Sequence, residues 1–125
     1  MIETLSQELH RLQIGRHYRG YTYTLTAVEL LREDACMLRS LTKTLLPEVA
    51  RRHRTKWRNV ERNIRTIAQN AWQKQPEELT RIAGYPLAGA PTTGEFLEIL
   101  FHYVEAEQAL WETLAVRAET VKVNI

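Results

Sequence analysis

Cysteine is all but missing from this chain of 125 residues, where Cys36 stands alone. One thiol can form neither a disulfide framework nor a cysteine metal cage, and it suits a reducing cytoplasm. Aspartate is as scarce, Asp34 being the single copy, and serine occurs only as Ser6 and Ser40. No Ser–His–Asp set is evident from that inventory. The five glycines are scattered and make no phosphate-cradling loop. His10, His17, His53 and His102 lack the close pairing of a metal site. Neither an enzyme nor a metal or other cofactor is therefore expected. No apolar run approaches the ~18 residues of a membrane span. The opening MIETLSQEL has neither the basic start nor the apolar stretch of a signal peptide. A cytoplasmic protein without membrane contact is the expectation.

What is present is charge, and it is segregated. The total is only +2. Residues 51–65, RRHRTKWRNVERNIR, nevertheless hold seven Lys or Arg against Glu61, a net +6, so the remainder sums to −4. From Thr92 onward there are six Glu against Arg117 and Lys122. Solubility alone does not require such a division, whereas meeting a polyanion does.

Nearly every segment repeats at helical period. Leu5, Leu9 and Leu12 form a first stripe, which Gly15 is expected to stop. A second helix after Gly20 carries Tyr21, Leu25, Val28 and Leu31. A third runs from Asp34, its N-cap, to His53, with Leu38, Leu41, Leu45 and Val49 inward. Pro47 should kink or break it. A fourth covers about 56–74. Pro76-Glu77-Glu78 opens a short fifth that Gly84 closes. Residues 85–91 form a loop, and Thr92 or Thr93 caps a last helix reaching about Val116. The tail TVKVNI alternates like a strand, with disorder from about 117 as the other reading. Cys36 reads as a small packing residue. The chain is thus a single all-α domain, 1–125, of about six helices, with a helix-turn-helix in the third and fourth.

The fourth helix accounts for the charge. Trp57, Val60, Ile64, Ile67 and Ala71 succeed one another at steps of three and four, one face of a helix. The other surface carries Arg, Asn and Gln with one Glu, the side chains whose geometry matches base edges in the major groove of duplex DNA. Arg51 and Arg52 end the preceding helix, and His53-Arg54-Thr55 makes a tight turn. Two helices so joined place the second in the major groove and the junction on phosphates. Arg58, Asn59, Glu61, Arg62, Asn63 and Arg65 are the candidate base readers. Lys43, Arg51, Arg52, Arg54 and Lys56 are the candidate phosphate contacts, and His53 could add another. A solvated or protein-binding face, or a membrane-surface helix, is the alternative for such a pattern; the narrow apolar stripe argues against membrane.

Gly20-Tyr21 with Tyr23, then Thr42-Lys43 and LPEVA (46–50), then Val60-Glu61-Arg62 with Ile64-Arg65 and Ala71-Trp72, then Gly84-Tyr85 and PTTGEF (91–96), occur in an order and spacing that resemble a known family. It is the C-terminal effector domain of the stage-zero sporulation response regulator, the sporulation transcription factor A of endospore-forming bacteria. The resemblance covers roughly 5–104. It implies a six-helix domain with a helix-turn-helix, binding to a short duplex DNA box, often as two copies, and contact with RNA polymerase sigma factor in the bacterial nucleoid. It implies base reading by Glu61, Arg62 and Arg65. Asn59 stands where the family usually has Arg, Lys56-Trp57-Arg58 replaces small residues, and Asn63 and Thr66 replace Ala and His, so the preferred box is expected to differ. Family members usually carry an N-terminal receiver phosphorylated on Asp. Met1 begins here at the first effector helix, and one Asp cannot build the receiver's acidic pocket. A regulator without that switch is the expectation, favoured over an excised domain by the MIET start.

The last helix holds more apolar groups than one stripe requires: Phe96, Leu97, Ile99, Leu100, Phe101, Tyr103, Val104, Leu110, Trp111 and Leu114. Either the core takes them all, or part of this surface meets a second copy, as a homodimer, or another protein. The functional expectation is a sequence-specific transcription regulator that binds duplex DNA. The alternative is an interaction module that modulates a full-length family member through the last helix.

Overall fold

A computed structural model describes residues 2–123, with side chains for 4–117. Among these residues there are six α-helices and no strand. They are α1 (Ile2–Arg11), α2 (Arg19–Glu33), α3 (Leu46–Arg52), α4 (Trp57–Lys74), α5 (Pro76–Ala83) and α6 (Thr93–Val123).

The α1 stripe is wholly inside, with Leu5, Leu9 and Leu12 at 0–1% exposure. Gly15 does not end this helix. The left-handed position belongs to Gln13, at φ 61°. Its N–H bonds to the His10 carbonyl at 2.9 Å, and the Ile14 N–H bonds to that of Leu9, also at 2.9 Å. These bonds consume the carbonyls that a helix end leaves open, and Ile14 is buried beside them.

The third sequence segment is not one kinked helix but three pieces. Asp34 caps it as expected, its side chain accepting from the Cys36 N–H at 3.1 Å. A 3₁₀ turn, Ala35–Ser40, comes first, then a π turn, Leu41–Leu45, in which the Leu46 N–H reaches back to Leu41. Regular α geometry starts only at Leu46. Pro47 has no N–H to give to residue 43, so the widened turn lies where an α ladder would be missing a bond in any case. Cys36 in this stretch is exposed rather than packed.

α4 packs against α2, α3, α5 and α6. Val60, Ile64, Ile67, Ala68 and Ala71 are 0–1% exposed. Its approach to α2 is closest at Gly20, where an added Cβ would sit 2.4 Å from the Asn63 carbonyl oxygen and 2.4 Å from Ile67. Gly84, at φ 80°, closes α5 as expected. Thr92 and Glu95 cap α6 reciprocally: the Thr92 hydroxyl accepts from the Glu95 N–H at 3.2 Å, and Glu95 accepts from the Thr92 N–H at 3.0 Å. Hydrogen bonding from Thr92, its backbone N–H first and then its side chain, holds the Glu95 carboxyl below its ordinary range.

α6 supplies Phe96, Leu97, Ile99, Leu100, Phe101 and Val104 to the core, but leaves Leu110, Trp111 and Leu114 outside. The helix continues to Val123, so 120–123 of the tail are helical rather than strand-like, and the last two residues lie outside the described ones. None of the helices is long and apolar enough to cross a membrane.

Among the described residues one carboxylate is buried. Glu8 on α1 is fully covered by α5 and α6, with Arg81 of α5 at 3.0 Å, Arg11 at 3.6 Å, and Glu78 and Tyr103 nearby. Oε2 has no hydrogen-bond partner. Burial raises its pKa to about 7, and the negative charge of Glu78 pushes the same way against the pull of Arg81.

Candidate nucleic-acid interface

The junction between α3 and α4 is as short as the sequence suggests, and it is built on a cationic residue in an unusual backbone position. Arg54 sits at φ 54°. The Thr55 N–H donates to the Ala50 carbonyl at 2.9 Å, and the Arg54 N–H to that of Arg51 at 3.3 Å. A left-handed conformation costs a side-chain-bearing residue roughly 1–2 kcal/mol. Here the two closing bonds hold it in place. His53 turns inward rather than toward a phosphate. Its Nε2 is 2.8 Å from the Thr26 hydroxyl on α2, and its ring meets Tyr23 edge-on at 5.0 Å. The turn is thereby anchored to the body of the domain.

Beyond the turn, α4 separates its two sides. Arg58, Arg62 and Arg65 are exposed at spacings of four and three, which puts them on one outward stripe with Thr66 and Gln69. Arg58 lies 5.5 Å from the centre of the half-buried Trp57 ring. Arg62 donates to the Asn59 side-chain oxygen at 2.9 Å. Arg65 is 3.4 Å from Glu61.

The other three candidate base readers are only half exposed, and each is tied into the protein. Asn59 donates to Thr55 at 3.0 Å and to the Tyr23 hydroxyl at 3.3 Å. Asn63 donates to the Asn59 carbonyl at 2.7 Å and to its side-chain oxygen at 3.0 Å. Glu61 accepts from the Thr93 hydroxyl at 3.0 Å, which joins α4 to the start of α6. These are bonds that orient, and Asn59 in particular holds the Arg62 guanidinium.

Lys43 on the π turn, Arg54 in the junction and Lys56 at the start of α4 are exposed. So are Arg51 and Arg52, but both bond to Glu48, at 2.6 and 3.2 Å. The two guanidiniums, Arg51 first, hold the Glu48 carboxyl down at about 2. An incoming phosphate at this corner must therefore compete with a carboxylate.

A shallow groove runs beside the arginine stripe. Leu41 and Thr42 wall it on one side, Thr92, Thr93 and Gly94 on another, with Trp57, Arg58, Glu61, Arg62 and Arg65 along α4. Nothing in the local sequence marks these walls as part of a site, although the T-x-x-E pattern at Thr92 and Glu95 is a readable helix-start signal. Guanidiniums on a rigid helix can donate paired hydrogen bonds to phosphate or to a guanine edge. Among the described residues no group of three or more His, Cys, Asp or Glu could hold a metal ion. With this geometry in view, comparison with known families gives a match over residues 5–104 to the model described as the sporulation initiation factor Spo0A C-terminal family.

Proposed function

Because the chain belongs to the sporulation initiation factor Spo0A C-terminal family, whose domains are DNA-binding effectors, we propose that it is a sequence-specific transcription regulator that lays α4 in the major groove of duplex DNA. The observation that carries the reading is the division of α4. One face is 0–1% exposed, while three guanidiniums at i, i+4 and i+7 stand outward on the other. Arg58, Arg62 and Arg65 read base edges. Glu61 orients Arg65, and Asn59 with Asn63 orients Arg62. Lys43, Arg51, Arg52, Arg54 and Lys56 hold the flanking phosphates, with Arg51 and Arg52 exchanging Glu48 for phosphate as they bind.

The test is selection of bound sites from random duplexes, then binding of the selected site across a salt series. Each phosphate contact contributes a slope of about −0.9 in log K against log salt. Arg62→Ala should lose roughly 1–3 kcal/mol on the selected site and relax preference at one base pair. Unchanged affinity for that site would remove Arg62 from base reading. A flat salt response would favour a module that works by protein contact alone.

A further inference from the structure

The family match stops at residue 104, and the burial of α6 stops there too, with Val104 1% exposed. Glu105 is clasped by Arg32 of α2 at 2.6 Å. Past that clasp the helix continues to Val123, about 28 Å of rod, and each residue from 109 to 117 is exposed. The side of α6 that upstream carries Leu97, Leu100 and Val104 continues at steps of three and four through Glu107, Trp111 and Leu114, with Leu110 alongside. Leu110 is 53% exposed, Trp111 63% and Leu114 45%. A large indole and two leucines in a row on one open helix face form an association surface rather than scattered surface hydrophobics.

We propose that this outer half of α6 pairs antiparallel with the same segment of a second copy. The charge order along the rod selects both partner and direction. Glu107 and Glu112 come first and Arg117 later, followed in the sequence by Glu119 and Lys122, so the near end carries −2 and the far end a net +1. An antiparallel pair lays Glu107 and Glu112 of each helix against the net-positive end of the other, with Arg117, and a two-fold axis makes the surface self-complementary. A parallel pair would set Glu107 against Glu107 within the seam. In the antiparallel register Trp111 of each copy covers Leu114 of the other. The contact is short, at the low end of specific interfaces, so the dimer is weak, with a dissociation constant on the order of micromolar. It does not depend on nucleic acid and stands apart from the DNA reading.

Sedimentation of the full chain without DNA, over a dilution series, tests it. The parent should pass from dimer to monomer on dilution. Trp111→Glu should weaken association roughly tenfold or more, while circular dichroism and thermal midpoint match the parent's once both are dilute enough to be monomeric, because the side chain is exposed. Direction is read in a Cys36→Ser background by mixing Leu110→Cys chains with Arg117→Cys chains under mild oxidation. Cross-linking between the two kinds supports the antiparallel pair. A monomeric parent at every concentration, a dimer indifferent to Trp111→Glu, or Leu110→Cys chains that link chiefly to themselves would each overturn the proposal.

Discussion

Replacing Glu8 by glutamine should make the protein more stable at pH 8 and change little at pH 5. The carboxyl is fully covered, and its pKa in the folded chain is raised from 4.5 to about 7. The folded state therefore holds a proton that the unfolded state releases between those values. Stability must fall as pH rises from about 4.5 toward 7, and level off above. One such proton changes stability by at most about 1.4 kcal/mol per pH unit. The whole window is worth roughly 3 kcal/mol as a ceiling. The pull of Arg81, at 3.0 Å, is already set against the shift, since it favours the charged form. Glutamine keeps an acceptor for Arg81 and offers an N–H toward Glu78, but carries no charge to desolvate. Urea unfolding of parent and Glu8→Gln at pH 5 and pH 8 gives four free energies. Their double difference cancels the carboxylates that titrate in both chains. A gain for Glu8→Gln confined to the higher pH is expected. Equal differences at both pH values, or a loss at pH 8, would refute the assignment of a protonated, burial-strained carboxyl.

Three further outcomes can be checked by the same unfolding assay. Gly20→Ala must push α2 from α4, because its Cβ would lie 2.4 Å from a backbone oxygen, and should cost roughly 1–3 kcal/mol; a neutral result would mean that the two helices separate freely. Gln13→Gly removes the left-handed penalty at φ 61° and should stabilise by about 1 kcal/mol. Thr92→Ala deletes one half of the reciprocal cap of α6 and should cost about 1 kcal/mol, with no loss expected if the helix start is held by packing alone.

The parts legible in the sequence are those governed by local periodicity. The stripe Val60, Ile64, Ile67 and Ala71 needs only helical spacing to be recognised, and all four are at 0–1% exposure. Gly84 and Asp34 announce their ends through backbone and side-chain preferences that act within a few residues. What stays hidden depends on neighbours distant in sequence. Asn59 and Asn63 flank the apolar stripe and read as outward positions, yet Tyr23 and the α2 backbone at Gly20 close over that edge. His53 is claimed by Thr26 in the same way. The break ahead of Leu46 begins further upstream than Pro47 alone suggests, because the missing N–H is felt over the whole preceding turn. Glu8 does leave a trace: it sits on the Leu5–Leu12 stripe at a core step, where a carboxyl is out of place. The surplus of apolar groups in α6 is visible in the sequence, but the point at which the core runs out, Val104, is a property of how the other helices end.

The partition of α4 also bears on how such a domain could be retargeted. Arg58, Arg65 and Thr66 on its outward stripe make their contacts within α4 itself, to Trp57, Glu61 and the Arg62 carbonyl, so exchanges at these positions or at Gln69 should leave the folding free energy within about 0.5 kcal/mol. Changes at Val60, Ile64 or Ile67 have no such freedom. A combinatorial library confined to the outer positions can therefore be screened for new preferences on one unchanging scaffold, and drift across relatives can run along the same permissive strip.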